Sequence, residues 1–164
     1  KGVYPEVAAY RMDRLLQLDM VPVTVIRKID GSDGSVQFMP SSRTDEAGRS
    51  ASGLGGGASC PMTDQWAAMS VFDVLIYNEG RSQRRMLYDS SWRLMLTGHD
   101  RAFANKKGRP GRFSSTALSV SPGWRRVLVE LTDELLAEQL GDVLDKRRLR
   151  ALVVRRDELL AIAE

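Results

Sequence analysis

Cysteine and histidine are almost absent from this chain, which has one residue of each, Cys60 and His99. A single cysteine cannot form an internal disulfide, and it excludes a metal site built from cysteines. No apolar run approaches the length of about 20 residues that a membrane-spanning helix needs. The first ten residues also lack the apolar segment of a signal peptide. These absences predict a cytoplasmic protein without a membrane span.

The remaining composition is ordinary for a globular domain, but the positive charge is unevenly distributed. The 164 residues, 43% of them hydrophobic and 27% charged, are enough for one domain with a core. The formal net charge is +3, yet the segment from Arg81 to Arg126 has eleven Lys and Arg residues against only Asp89 and Asp100. Such a block favours anionic partners such as phosphates, nucleic acid or acidic lipid surfaces. The simpler alternative is a solvated basic face without a specific partner.

The first third of the chain predicts one helix, one hairpin and one irregular segment. The helix begins at Pro5 and ends near Asp19, because Pro22 disfavours helix for the residue before it. The segment Val21–Met39 has two β-branched stretches around the turn sequence DGSDG, which predicts a β-hairpin. Residues 40–61 are rich in Ser and Gly and poor in apolar residues, so we expect a flexible excursion. A phosphate-cradling loop would need a Lys-Ser/Thr ending that these glycines lack.

The rest of the chain predicts helices around a second hairpin. Thr63 can cap a helix with a broad apolar surface, and RMLYD and WRLML then form two strands with the alternation of half-buried strands. A basic loop follows from Asn105 to Ser121, and Thr132 caps the first of two C-terminal helices. Helices and hairpins in this order predict an α+β fold and not alternating βαβ units.

Four stretches carry a resemblance to a known superfamily. They are EVAAYRMDRLLQLDMVP (6–22), FDVLIYNEGRSQRRMLYD (72–89), WRLMLTGHDRAF (92–103) and LRALVVRRDELL (149–160). In residues and spacing they resemble the atypical kinase-like superfamily of phosphoinositide kinases, HipA-type kinases and secretory-pathway kinases, and bacterial relatives in particular. The resemblance implies a protein-kinase-like fold. Residues 1–39 would be a remnant of the N-terminal lobe, 40–62 a flexible linker and 63–164 the helical C-terminal lobe.

The departures from the family's pattern fall on the positions that carry its chemistry. Gly80 replaces the catalytic Asp before Arg, Arg85 replaces an Asn that helps to hold metal, and Gly98 replaces the metal-binding Asp before His. Phosphoryl transfer depends on positioning and charge neutralisation, and Mg²⁺ prefers carboxylate and phosphate oxygens. Glycine supplies neither a ligand nor a base, and Arg85 would repel the ion. The resemblance therefore implies a pseudokinase that serves as a binding or regulatory module, with no cofactor and no metal expected.

Carboxylates next to the lost positions keep an enzymatic alternative open. Glu79 and Asp100 could supply relocated ligands in a divergent phosphotransferase, although surface residues paired with arginines are the simpler interpretation. The lone His99 could bind metal or act as a base, but a structural hydrogen-bonding role is more common. Asp73 is interpreted as holding the backbone of the loop that follows it.

The ligand-binding expectations involve one carboxylate and several polar residues near the lost positions. Glu6 matches the acidic partner of the family's nucleotide-contacting Lys, which would precede the first helix, so we expect a truncated N-terminal lobe. Asn78, Arg81, Arg84 and Arg85 could contact nucleotide or phosphate oxygens weakly and without metal. A solvated arginine cluster is the alternative. We expect an unidentified protein partner or a phosphate-containing ligand, and nucleic acid ranks last because no nucleic-acid fold signature is present.

Overall fold

The computed structural model describes residues 2–39, 41–55, 57 and 59–163, and it is an α+β arrangement with two small antiparallel sheets. The helices are α1 (Pro5–Leu15), α2 (Glu46–Ser52), α3 (Met62–Leu75), α4 (Pro122–Glu130), α5 (Asp133–Leu140) and α6 (Lys146–Ala161). The strands are β1 (Thr24–Ile29), β2 (Ser32–Gln37), β3 (Thr44–Asp45), β4 (Met86–Tyr88) and β5 (Leu94–Leu96). Short 3-10 turns occupy Gln83–Arg85 and Gly111–Phe113.

The first helix ends earlier than the sequence predicts. It stops at Leu15, not near Asp19, because Gln17 leaves the helical conformation with φ 56° and the backbone that follows binds the buried carboxylate of Asp13. Its Oδ1 accepts hydrogen bonds from the backbone N–H groups of Met20 (2.9 Å) and Val21 (3.1 Å). These hydrogen bonds satisfy two backbone donors of the connection after the helix, which would otherwise be buried without partners. The connection to β1 is therefore held by a side chain and not by the proline alone.

The first predicted hairpin is confirmed, with narrower strands. β1 pairs antiparallel with β2, and Ile29 faces Ser32 across the turn. The two turn residues, Asp30 and Gly31, have φ values of 50° and 83°. Positive φ at both central residues is the requirement of a type I′ turn, for which Asp-Gly is a favoured pair. The hairpin therefore follows from local turn chemistry.

The expectation of an irregular excursion at 40–61 is wrong for part of it. β3 pairs with β4, and α2 begins at the Asp45 cap, whose side chain accepts from the backbone N–H of Gly48 at 2.7 Å. Glu46 in α2 is buried and accepts from Arg49 (2.6 Å) and from the hydroxyl of Tyr88 (2.9 Å). Polar contacts anchor this helix, so hydropathy could not reveal it. Pro40, Gly56 and Ala58 of the predicted linker lie outside the described residues, as do Lys1 and Glu164.

The helices and strands after residue 61 largely agree with the prediction, with three differences. α3 begins after Pro61, so Thr63 is inside the helix and does not cap it, whereas Thr132 caps α5 as predicted. α4 was not predicted; Ser121 caps it and Pro122 is its first residue. β4 and β5 form the second hairpin, but all three residues of β5 are buried, so the predicted half-buried alternation is wrong there.

One hydrophobic core joins the N-terminal helix to the later part of the chain. Its buried residues include Ala8 and Met12 of α1, Phe72 of α3, Leu128 of α4 and Leu152 of α6. Burial of this apolar surface is the dominant stabilising contribution to such a domain. The packing fixes α1 and α3 against the loops that follow α3 and β5. Within the described residues, no helix is long and apolar enough to cross a membrane.

Candidate functional site

The three positions where chemistry is expected to be lost lie together in space. Gly80 is in the loop after α3, Arg85 ends the 3-10 turn before β4, and Gly98 follows β5. Nη1 of Arg85 lies 3.0 Å from the carbonyl oxygen of Gly98 and 3.5 Å from that of Gly80. Residues separated by up to 18 positions in sequence therefore form one cluster, which we call the Gly80–Arg85–Gly98 cluster.

The guanidinium of Arg85 fills the space that side chains at the two glycines would need. A Cβ atom on Gly98 would overlap with Cδ of Arg85, and a Cβ on Gly80 would lie 3.0 Å from Nη1 of Arg85. Gly98 also has φ 70°, a conformation that residues with a Cβ rarely adopt. The two glycines and the arginine thus depend on one another sterically.

The two carboxylates considered as substitute ligands are each paired with a cation at the surface. Asp100 accepts from Nη1 of Arg85 at 2.7 Å, and Glu79 lies 3.2 Å from Nζ of Lys106. The Asp100 side chain is 56% exposed. In the part of the chain that the structure describes, no group of three or more His, Cys, Asp and Glu side chains could hold a metal ion. Asp100 is thus paired with an arginine, as the simpler interpretation expected, whereas the partner of Glu79 is a lysine.

A buried ion pair supports the loop that contains Gly80. Arg81 makes a fork with the carboxylate of Asp73: Nε lies 2.8 Å from Oδ2 and Nη2 3.0 Å from Oδ1. Both side chains are fully buried. Nη1 of Arg81 also donates to the carbonyl oxygens of Thr97 (2.8 Å) and Arg85 (3.0 Å). This single guanidinium therefore ties α3 to both other segments of the cluster.

Asn78 completes the support of the loop. Its Nδ2 donates to Oδ1 of Asp73 at 3.0 Å, and its Oδ1 accepts from the backbone N–H of Gly80 at 2.9 Å. The side chain is fully buried. Asp73 was expected to hold the loop backbone directly, but its carboxylate acts through the side chains of Asn78 and Arg81. The Asn78 side chain therefore links the carboxylate of Asp73 to the backbone of Gly80.

The arginines proposed to bind phosphate do not form a free cluster. Arg81 is saturated by Asp73 and two carbonyl groups, and Arg85 pairs with Asp100. Arg84 is exposed, and its side chain makes no ion pair within the described residues. Binding of a phosphate by all three guanidinium groups would require breaking the buried Asp73–Arg81 ion pair, which costs several kcal/mol.

His99 connects α1 to the same network. Its backbone N–H donates to Oε1 of Glu6 at 2.7 Å, and its Nε2 lies 3.0 Å from Nη2 of Arg81. Because a guanidinium can only donate, Nε2 is the acceptor and the ring proton is assigned to Nδ1, 3.3 Å from Oε2 of Glu6. Burial lowers the pKa of His99 despite the opposing effect of Glu6. Burial alone would raise the pKa of Glu6, but the contacts with His99 lower it overall.

Acidification is expected to destabilise the protein through His99. Its folded-state pKa is below the unfolded value of about 6.5, so the unfolded chain takes up a proton first and stability rises with pH. We expect the free energy of unfolding to fall by up to about 1.4 kcal/mol per pH unit below about pH 6.5. Glu6, with its lowered pKa, adds a loss in the same direction at lower pH. Urea unfolding at several pH values measures this slope.

The variant His99→Gln separates the histidine from the other titrating groups. It removes the titrating ring, so the slope between about pH 7.5 and about pH 5.5 should flatten, whatever the absolute stability of the variant. A slope that His99→Gln leaves unchanged would contradict the assignment.

The steric dependence between Gly98 and Arg85 predicts non-additive stability effects. Gly98→Ala is expected to cost about 1–2 kcal/mol for its positive φ, plus the overlap with Arg85. In an Arg85→Ala background only the φ cost remains, so the double-mutant cycle should give a coupling energy of about 0.5 kcal/mol or more. Gly108→Ala is the matched control, since Gly108 has φ 73° and no atom near its Cβ position. Equal costs of Gly98→Ala and Gly108→Ala in urea unfolding would disprove the overlap.

Sequence reasoning missed Arg155, the largest fully buried side chain of the described residues. Its Nε donates to the carbonyl oxygen of Leu75, at the end of α3, at 2.7 Å, and its Nη1 donates to that of Lys106 at 2.6 Å. The signal was present, because Arg155 is four residues after Ala151 and four before Leu159 on the buried face of α6. A charged residue at a core position of a helix indicates a specific buried role.

Comparison of this chain with protein-family models and with curated proteins gave no match. Its function is therefore inferred from the geometry of the described residues. Two features define the candidate site: a guanidinium lying across two glycines, and the buried pair of Asp73 and Arg81 that supports the surrounding loops.

Proposed function

We propose that the chain is a catalytically inactive kinase-like domain that serves as a binding or regulatory module. The observation that carries this proposal is the position of the Arg85 guanidinium, within 3.5 Å of the carbonyl oxygens of both Gly80 and Gly98. The resemblance places a base at Gly80 and metal ligands at Arg85 and Gly98. A fixed positive charge at that point repels Mg²⁺, and neither glycine offers an oxygen from a side chain to offset the repulsion.

The internal support of the loops favours a binding role over a relocated phosphotransferase. The buried Asp73–Arg81 pair and Asn78 hold the loop in one conformation, although the positions that the resemblance identifies as reactive are empty of carboxylates. The remaining candidates, Glu79 and Asp100, are paired with Lys106 and Arg85. A carboxylate in an ion pair with a protein cation has less negative potential available for a metal ion.

The fold that we propose is that of a protein kinase, with two lobes. Residues 1–39 would be the remnant of an N-terminal lobe, with α1 and the β1–β2 hairpin, and residues 63–164 the helical C-terminal lobe. The α+β order of the elements supports this assignment. Within the described residues Glu6, the position that the resemblance gives to the acidic partner of a nucleotide-contacting lysine, accepts from the backbone N–H of His99.

Calorimetric titration with Mg·ATP and an assay of γ-phosphate release test the proposal directly. We expect no magnesium-dependent binding and no release of phosphate above the buffer rate, because Gly80, Arg85 and Gly98 supply neither a base nor a metal ligand. Magnesium-dependent turnover that Asp100→Ala abolishes would overturn the proposal in favour of the divergent phosphotransferase.

A gain-of-site variant tests whether the Gly80–Arg85–Gly98 cluster is a degenerate metal site. The variant Gly80→Asp, Arg85→Asn, Gly98→Asp removes the guanidinium and supplies two carboxylates and an amide. We expect it to bind Mn²⁺, as measured by electron paramagnetic resonance, and Arg85→Asn alone not to bind. A folded triple variant that does not bind Mn²⁺ would remove the support for a kinase-like ancestry of the cluster.

A further inference from the structure

A basic cavity of about 450 Å³ lies between the 105–107 segment and the first half of α6. Four cationic side chains line it above the apolar side chains of Ala151 and Val154; they are Lys106, Lys107, Arg147 and Arg150. None of these residues belongs to the Gly80–Arg85–Gly98 cluster. The cavity has the volume of small-molecule sites, about 300–1,000 Å³.

The positive charge of this cavity is largely uncompensated within the protein. Among the described residues no carboxylate lies at ion-pair distance from Lys107, Arg147 or Arg150, and Lys106 has only its exposed contact with Glu79. Asp145, at the start of α6, is occupied by backbone N–H groups and by the side chain of Arg148. Clustered like charges with no counter-charge raise the local potential and attract anions.

Arg155 adds a further positive charge behind the cavity wall and holds that wall in place. Its Nη1 donates to the carbonyl oxygen of Lys106 at 2.6 Å, so the 105–107 segment is attached to α6. Its Nη2 has no hydrogen-bond partner, and it makes no ion pair among the described residues. Burial lowers the pKa of Arg155 to about 10, which leaves it charged at neutral pH. The cavity therefore lies over a buried cation and is lined by four more.

We propose that this cavity binds a small polyanion with two or more adjacent phosphate groups, and that it does so without a metal ion. Several cations around one concave space match several linked phosphates better than a single one, and Arg147 and Arg150 can form fork-shaped contacts with phosphate oxygens. A concave space of this size fits a small molecule, whereas a nucleic acid strand would need an extended groove. Such binding does not depend on whether the domain is kinase-like.

Calorimetric titration with inorganic tripolyphosphate and with orthophosphate, both in EDTA, tests the proposal. We expect tripolyphosphate to bind at least about tenfold more tightly than orthophosphate, since each additional charge-assisted contact adds to the affinity. The affinity should fall with added salt, because the contacts are ionic. Equal or undetectable binding of the two anions would overturn the proposal.

Charge-reversal variants distinguish the cavity from the general basic character of the chain. Lys107→Glu with Arg150→Glu should weaken tripolyphosphate binding at least about tenfold. Arg125→Glu with Arg126→Glu, on the exposed face of α4, makes the same change in net charge and should alter the affinity by less than about threefold. If the reversed cavity residues disturb the fold, as judged by circular dichroism, Lys107→Gln with Arg150→Gln provides the neutral equivalent. Equal losses in the two double variants would overturn the proposal.

A single-stranded RNA oligonucleotide provides the remaining comparison. We expect it to compete poorly with tripolyphosphate for the cavity, because its phosphates are spaced along a strand. If the RNA binds more tightly than tripolyphosphate and loses affinity in the Lys107→Glu, Arg150→Glu variant, the surface is a nucleic-acid site and the small-ligand proposal is wrong.

Discussion

Replacing Arg81 with alanine is expected to lower the free energy of unfolding by about 3–5 kcal/mol, because it leaves a buried carboxylate without its counter-charge. The Asp73 side chain is fully buried, and its two oxygens would lose both guanidinium contacts. The carbonyl oxygens of Thr97 and Arg85 would lose a donor as well. Domains of this kind are stable by about 5–15 kcal/mol in total, so the variant should be close to unfolding. Urea and thermal unfolding, followed by circular dichroism, measure the loss.

Two comparisons identify burial as the cause of this effect. Removing both charges together, as in Asp73→Leu with Arg81→Met, should cost less than Arg81→Ala alone, since no unpaired charge remains. Arg93→Ala removes an arginine whose side chain is 60% exposed and whose ion pairs with Asp19 and Asp89 lie at the surface. It should cost at most about 1 kcal/mol. If Arg81→Ala is no more destabilising than Arg93→Ala, the buried pair does not support the fold as described.

The second large effect is expected at Arg155. Arg155→Ala should lower the free energy of unfolding by about 3–5 kcal/mol, because a buried and a partly buried carbonyl oxygen lose their donors at about 1–3 kcal/mol each and a cavity remains. The affected groups are the carbonyl oxygens of Leu75, at the end of α3, and of Lys106. A cation at the C-terminal end of a helix also interacts favourably with the helix dipole, and this contribution is lost.

Further variants at and near Arg155 separate packing from hydrogen bonding. Arg155→Met retains most of the side-chain volume without donors, so it should recover the packing contribution and not the hydrogen-bond contribution. Arg150→Ala, in the exposed part of the same helix, should change stability by less than about 0.5 kcal/mol. If Arg155→Ala and Arg150→Ala lower the free energy of unfolding equally, the buried arginine does not stabilise the 105–107 segment.

Local sequence signals predicted the elements that depend on local chemistry. The Asp30-Gly31 turn and the β-branched stretches beside it predicted the first hairpin. The apolar spacing of α3 and the Thr132 cap of α5 predicted those two helices. Apolar periodicity did not reveal α2, because its buried residue, Glu46, is polar and contacts Tyr88, a residue 42 positions away. The Asp45 cap was the local signal for this helix. The early end of α1 was missed for a similar reason, since Asp13 accepts hydrogen bonds from residues beyond the helix.

The sequence likewise predicted one part of the candidate site and missed another. Comparison of residue patterns indicated Gly80, Arg85 and Gly98 as one group of changes, but not that Arg85 would lie across both glycines. It also presented Arg81 as a ligand-binding residue, whereas Arg81 is buried against Asp73. The basic cavity was missed, because its cations come from two segments about 40 positions apart, Lys106–Lys107 and Arg147–Arg150. Their charge could be counted from the sequence, but not their proximity.

The amino-acid sequence by itself determined the α+β order of helices and hairpins, because turn residues, caps and apolar periodicity act over a few neighbouring positions. It also determined that Gly80 and Gly98 cannot supply a carboxylate, since a glycine has none in any fold. Only the tertiary structure decided which charges are neutralised and which remain available. Arg81 and Arg85 are paired with carboxylates, whereas Lys107 and Arg150 have no such partner among the described residues. The interaction between two charges depends on their separation and burial, and only the packing of distant segments sets those quantities.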